Sequence, residues 1–444
     1  MRSGRCRRLL ADWAAFPAVV VLTGLGGALA VWAFRHGFST LETLFLGSDS
    51  GLVAAARSLA PWRRVVTPFL GALAAGLILQ FFPAIRPSEG PKPPTDYIEA
   101  FTIGHGRLHV AGSLVKCLAS LFVVSCGLAV GREGAMILLA ALLGSLAAGL
   151  LPKECGGAET AGCDRMEEKR RILVACGAAA GMAAAYHAPV AGVFFTAEVL
   201  AGGRLSLRVL GPVALASFCS FLLTGALGGD APLYAAPSLS PPPVGLYGAL
   251  LVFAALCGLC GTAFLVGLDG AREVFARTAK RLRLPPAVRL GAGGLLVGLL
   301  SLWYPEVWGN GASTVNALIH MPPAAAVVAG ILTAKLCAMA ASTGGGAPGG
   351  VLTPTLFVGA ALGLLLGHGF AAVPLFSGGS TALFTLCGMA GVLAATTHAP
   401  IMAAFMIAEM TGAYDLLPGL LFVCLSASGT AGLLRPRSIY GLPA

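Results

Sequence analysis

The sequence predicts an all-α polytopic membrane protein in which one membrane unit is used twice. Three observations carry that reading: a composition dominated by apolar residues, apolar runs without a strand period, and a long internal repeat. Of the 444 residues, 57% are hydrophobic and 11% charged, where a soluble domain carries about 25% charged residues. The mean hydropathy is +0.85.

A helix needs about 20 apolar residues to cross a bilayer. Runs of that kind occur near 15–34, 65–83, 110–130, 171–201, 207–228, 242–268, 288–304, 322–341, 351–375, 382–410 and 416–434. A β-barrel also satisfies its backbone in lipid, but its strands alternate apolar and polar residues, and these runs are uniformly apolar. The barrel is excluded.

The net charge of +10 raises the question of a nucleic-acid partner, and the placement of the basic residues removes it. They sit in connectors. Arg2, Arg5, Arg7 and Arg8 precede the first run, Lys153, Arg165, Lys169, Arg170 and Arg171 crowd a second segment, and Arg272, Arg277, Lys280, Arg281, Arg283 and Arg289 crowd a third. Excess Lys and Arg in short loops marks the cytoplasmic side. The expected organisation is a basic cytoplasmic N-terminus at 1–14, a first membrane half at 15–270, a basic cytoplasmic connector at 271–287, a second half at 288–440 and a short tail at 441–444. The start shows no small-residue cleavage site and reads as retained rather than as a signal peptide.

Most of the twelve cysteines lie in apolar runs, where a free thiol packs as a small hydrophobe. The Cys257–Cys260 pair fits packing better than redox or metal chemistry. Cys155 and Cys163 share a basic loop in which reduced thiols are expected. No cofactor and no metal are implied.

The repeat is specific. "CGAAAGMAAAYHAPVAGVFFTAEV" (176–199) aligns without gaps on "CGMAGVLAATTHAPIMAAFMIAEM" (387–410), so that Cys176, His187, Pro189 and Glu198 meet Cys387, His398, Pro400 and Glu409, each 211 residues on. Upstream, Lys116 and Lys335 stand 219 residues apart, and the same offset carries Gly131 onto Gly350. Small residues repeat by chance; Cys, His, Pro and Glu in step do not. Internal duplication of this kind is how secondary transporters place a binding site near mid-membrane, where broken helices meet.

Gly- and Pro-rich breaks interrupt the apolar runs at equivalent places: "GREG" (131–134) and "STGGGAPGGVLTP" (342–354). A Gly-rich break before a helix exposes backbone N–H groups that, with the helix dipole, favour an anion. Kinked packing through small residues is the alternative for one such break; two at equivalent positions favour a site. Glu133, inside the first break, is an intramembrane carboxylate and hence a functional candidate. At a helix N-terminus it would mimic an anion, and protonation would neutralise and release it. The alternative is a surface pair with Arg132.

These motifs together, "GREG", "GGVLTP", the paired "HAPVAGVFFTAE" and "HAPIMAAFMIAEMTGAYD", and the terminal "SIY" (438–440), resemble the CLC family of chloride channels and proton-coupled anion transporters over about 90–440. The resemblance implies a homodimer, each protomer holding an antiparallel pair of duplicated halves around its own anion pathway. It places Glu133 at the family's gating glutamate in "GREGP", with Ala135 replacing the proline. Gly131, Arg132, Gly350, Val351 and Leu352 fall in the anion-site motifs, with the amides of Val351 and Leu352 facing the ion and Leu352 replacing a phenylalanine. Tyr440 matches the tyrosine that closes the inner side of the site.

Two departures bear on selectivity and coupling. The family's serine-bearing motif GSGIP has as its nearest counterpart "EGPKPPTDYIEAF" (89–101), which holds no serine; one alignment puts Pro91 at the serine position, another Lys92. A proline there accompanies nitrate preference in the family. The second departure is Val199, which occupies the position of the internal proton-handling glutamate next to Glu198. That loss favours a passive channel, or an exchanger with another proton route as in fluoride exporters. Regulatory CBS domains are not expected. His187 and His398 are expected to be symmetric structural caps, and Glu198 and Glu409 buried structural residues.

The function expected is transmembrane movement of a small anion, chloride by default and nitrate or fluoride as alternatives, with protons as a candidate partner, in a bacterial inner (plasma) membrane with the N-terminus cytoplasmic. Three rivals remain. An intramembrane hydrolase would need a nucleophile–base set or HExxH-type ligands, and neither occurs. An organic-acid or cation transporter would need more intramembrane charge, for which Arg132 is the obvious candidate. A degenerate, non-conducting family member would explain the damaged serine motif.

Overall fold

The computed structural model describes residues 2–48, 51–82, 94–152, 159–203, 207–228, 232–234, 236–237, 239–371 and 379–441. Among them the elements are helical: α1 (Arg2–Leu46), α2 (Leu52–Ser58), α3 (Pro61–Phe81), α4 (Tyr97–Thr102), α5 (Val110–Ser125), α6 (Glu133–Ala147), α7 (Glu159–Tyr186), α8 (Pro189–Phe195), α9 (Leu207–Ala226), α10 (Tyr247–Arg281), α11 (Pro286–Leu300), α12 (Ala312–His320), α13 (Ala325–Gly345), α14 (Leu352–Ala371), α15 (Thr381–Thr397), α16 (Pro400–Thr411) and α17 (Leu417–Leu434). Eight helices among the described residues are long and apolar enough to cross a bilayer.

Three expectations need correction. The runs 171–201 and 382–410 are not single spans. Each breaks at a His-Ala step, between α7 and α8 and between α15 and α16, because Pro189 and Pro400 cannot continue the preceding helix and instead start a new one. The basic segment 271–287 is mostly helix: α10 runs through Arg281, and its charges pair along the helix, Arg272 with Asp269 at 3.3 Å and Arg277 with Glu273. The first run extends past 34 to Leu46, which brings Arg35 into the helix.

The chain packs as two compact units, Met1–Ala33, Pro87–Leu114 and Met136–Ala231 in one, Phe34–Arg86, Val115–Ala135 and Pro232–Ala444 in the other. They interleave along the sequence. The core of the first gathers Val19 and Val20 of α1, Leu173, Cys176 and Ala179 of α7, and Val213 and Ala216 of α9. The core of the second includes Phe38 of α1, Ala72 and Ala75 of α3, Val123 and Val124 of α5, and Leu290 of α11. Without a hydrophobic drive between helices in lipid, close approach through small residues holds such seams.

The seams carry the duplication in their atoms. In the first unit, α6 lies on α7 so closely that a Cβ on Gly144 would strike the Leu173 carbonyl, and one on Gly177 the Ala140 carbonyl. In the second unit, α14 lies on α15 with Gly363 against the Phe384 carbonyl and Gly388 against Gly359. Gly144 and Gly363 stand 219 residues apart, as do Ala140 and Gly359; Leu173 and Phe384 stand 211 apart, as do Gly177 and Gly388. The offsets read from the motifs are thus the offsets of the packing.

Candidate functional site

The two Gly-rich breaks meet. Gly131 N–H donates to Gly350 O at 2.6 Å and Gly350 N–H donates to Gly131 O at 2.8 Å, an antiparallel bridge outside any strand. Equivalent residues that exchange bonds reciprocally are related by a local two-fold axis, which is what an inverted duplication produces. The bridge commits the amides of Gly131 and Gly350 to each other. Helix N-termini leave their first amides without intrahelical partners, and here those belong to the residues that follow, at the heads of α6 and α14.

The first break is fastened on both sides. Ala129 N–H donates to Ser342 Oγ at 3.1 Å, and Gly309 N–H donates to Gly127 O at 3.1 Å. Gly127 has φ +93°, and a Cβ there would run into the Trp308 ring, so this turn admits only glycine. The chain then enters α6 at Glu133, its first residue.

Glu133 is 5% exposed. Its Oε1 accepts a hydrogen bond from Asn310 Nδ2 at 2.7 Å, and its Oε2 lies over the Gly131 Cα, in the space a Cβ would fill. Asn310 is itself held, because its Oδ1 accepts from Ala312 N–H at 3.2 Å at the start of α12. Arg132 does not close a pair on its neighbour: its guanidinium lies 4.8 Å from the Phe38 ring centroid, a cation–π contact. Arg35, nearly one helical turn before Phe38, is within electrostatic reach of both Arg132 and Glu133. Tyr234, 1% exposed, feels the same two charges. Its phenol oxygen makes no protein hydrogen bond, and burial, with the Glu133 charge adding and Arg132 opposing, pushes it above the ordinary tyrosine value, so it stays a protonated donor at neutral pH. A carboxylate at a helix N-terminus, with an amide donor on one oxygen and guanidinium charge nearby, occupies a place built for negative charge.

Leu352 begins α14, with Val351 just before it; the Val351 carbonyl accepts Thr355 N–H at 2.9 Å and Thr355 Oγ1 at 2.7 Å. Tyr440 is half-buried in the segment after α17, which Ile439 N–H ties to Thr396 O at 2.8 Å. Pro91, Lys92 and Cys155 lie outside the described residues, as does the side chain of Cys163.

The expected capping role needs correction at His398. His187 and His398 have φ of 56° and 55°, the left-handed conformation that ends a helix. The residues that start α8 and α16, Ala188 and Ala399, make no side-chain cap, and neither ring nitrogen of His398 has a protein hydrogen bond. At His398 the stop is made by the backbone, not by the imidazole. Beyond α8 the chain takes a π turn at Thr196–Leu200 that holds half-buried Glu198 and buried Val199; α16 stays α-helical through buried Glu409.

Sequence reasoning missed Asn310, Arg35, Phe38 and Tyr234. The signal for Asn310 was a third short glycine break, "WGNG" (308–311), ahead of α12. Arg35 lay one residue beyond the end assigned to the first run.

The family model for the voltage gated chloride channel matches residues 70–432. The chain belongs to that family. A curated relative, the voltage-gated ClC-type chloride channel ClcB of Escherichia coli O81 (strain ED1a), is 46% identical over 425 residues, covering 95% of this chain and 97% of the relative. Among solved structures, a slow cyanobacterial Cl-/H+ antiporter superimposes with a TM-score of 0.78 at 21% identity, over 96% of each chain. A CLC-type fluoride/proton antiporter superimposes with a TM-score of 0.75 at 21% identity, over 96% of this chain and 97% of that one. The CLC-type inverted-repeat fold is therefore common to this chain and to these antiporters.

Proposed function

We propose that the protein moves a small anion, chloride by default, through a CLC-type pathway gated by Glu133. The observation that carries this reading is the buried Glu133 carboxylate at the head of α6, hydrogen-bonded to Asn310 and folded over the Gly131–Gly350 bridge. In that place it competes with a permeant anion for the same electropositive end of the helix. Protonation removes its charge and frees it to leave.

The amides of Val351 and Leu352 at the head of α14 serve the anion, Tyr440 lines the inner side, and Arg35 and Arg132 raise the local anion concentration outside. Either Pro91 or Lys92 stands where the family has its serine, which makes nitrate an alternative ion and fluoride another. Val199 leaves no carboxylate at the usual inner proton position, which supports channel-like conduction or a non-standard proton route. The named relative is called a channel, and the solved neighbours are called antiporters. The working form is a homodimer in a bacterial inner membrane, N-terminus cytoplasmic, with exposed apolar side chains such as Leu22, Leu222 and Leu425 against lipid or partner.

The test is anion efflux from liposomes carrying the purified protein, with chloride, nitrate and fluoride release recorded beside proton uptake, and Glu133→Gln as comparison. Anion flux coupled to protons, with coupling abolished by Glu133→Gln, establishes an exchanger. Flux without protons establishes a channel. No flux of any anion removes both and leaves a non-conducting member.

A further inference from the structure

Lys335 of α13 is fully buried, in a position where an ammonium group is costly unless its donors are met. They are met by backbone alone. Its Nζ donates to Gly309 O at 2.7 Å and Val307 O at 2.9 Å, with Glu306 O at 3.4 Å and Trp308 O at 3.5 Å, and it stands 5.6 Å from the centroid of the Phe357 ring on α14. The nearby carboxylate of Glu306 points elsewhere, into an ion pair with Arg57 at 2.6 Å. One cation therefore gathers the successive carbonyls of residues 306–309.

The next residue is Asn310, whose Nδ2 holds Glu133 Oε1 at 2.7 Å. The same short segment is bonded to the first break through Gly309 N–H and Gly127 O. Its aim is thus set at three places: the ammonium on the carbonyls, the tie to Gly127, and the Asn310 turn onto Ala312. Of these the ammonium alone comes from a side chain of another helix.

We propose that Lys335 is a positioning residue for the gate: by clamping the carbonyls of residues 306–309 it aims the Asn310 amide at Glu133 and so sets how firmly the carboxylate is held in its blocking position. The proposal rests on the reading of Glu133 as the gate. A hydrogen bond to a carboxylate is stronger than a neutral one, and its loss weakens the hold of the blocking carboxylate, which competes with the permeant anion.

The experiment measures the chloride concentration at half-maximal flux, and the maximal flux, for full-length protein in liposomes. Lys335→Met and Asn310→Ala are each expected to lower the half-saturating chloride concentration by about tenfold, the order expected for one lost hydrogen bond to a charged group. The double variant is expected to match the single ones, because both act on one contact. Lys335→Arg, which keeps the charge and the donors, is expected to restore part of the hold. In a Glu133→Ala background, Lys335→Met is expected to change nothing further.

An effect of Lys335→Met that persists in that background would mean that the cation acts on the anion directly, and it overturns the proposal. So does a fall in maximal flux with unchanged half-saturation, the mark of a purely structural role. If Lys335→Met does not fold, Asn310→Ala decides, because an unchanged half-saturation there breaks the assigned route. If Glu133→Ala alone alters neither quantity, the gate reading itself has failed, independently of Lys335.

Discussion

The helix pairs α6–α7 and α14–α15 are the same structure built twice, and they differ at their entrances. In both, glycines meet a facing backbone carbonyl at equivalent residues, Gly144 on Leu173 as Gly363 on Phe384. In both, the incoming chain is a glycine break, and the two breaks bond to each other at Gly131 and Gly350. Yet α6 opens with Glu133 and α14 with Leu352, residues 219 apart. Duplication preserved the parts that pack and let the helix heads diverge: one carries a carboxylate held by Asn310, the other leaves backbone amides behind an apolar side chain. The site is legible as a broken symmetry.

The largest expected effect tests whether the two seams are equivalent in energy as well as in register. Gly177→Val and Gly388→Val each force a branched side chain into contact with a facing backbone carbonyl, Ala140 in one seam and Gly359 in the other. Overpacking against backbone that cannot yield costs about 3 kcal/mol. Thermal unfolding of the detergent-solubilised protein should fall by similar amounts in both. A large loss in one and none in the other would break the comparison and show that one seam opens.

These seams also explain how much the sequence could say. Apolar runs and the aligned Cys, His, Pro and Glu of residues 176–199 and 387–410 located the fold and its duplication, because membrane packing imposes small residues at fixed spacing. Glu133 was visible because charge in an apolar run is rare. Asn310 was not, since an uncharged amide in a loop 177 residues away has no pattern until the chain folds. Lys335 was seen only as a repeat marker, paired with Lys116. His398 was seen and misread, because a left-handed turn before proline leaves the same letters as a side-chain cap.

A smaller effect separates those two readings of the histidines. At His398, a left-handed backbone with φ of 55° and a ring without protein hydrogen bonds implies that glycine is tolerated and a β-branched residue is not. His398→Gly is expected to change stability by less than about 1 kcal/mol, while His398→Val loses about 2 kcal/mol. Equal losses from both, read from the same thermal unfolding, would restore the side chain as the cap.

The smallest effect concerns the head of α14. Family members with GxFxP carry an aromatic side chain where this chain has Leu352, which is 7% exposed. If the ion is served by the amides of Val351 and Leu352, the side chain shapes the wall and not the donors, because the N–H groups at a helix start point along its axis whatever residue supplies them. Leu352→Phe should then leave the half-saturating chloride concentration within about threefold of the parent, under about 0.7 kcal/mol, whereas Glu133→Ala shifts it strongly. The contrast lies in what each helix head presents to the pathway: backbone at α14, a side chain at α6. A shift from Leu352→Phe as large as that from Glu133→Ala would mean that both heads act through their side chains, and the broken symmetry that marks Glu133 as the gate would no longer distinguish them.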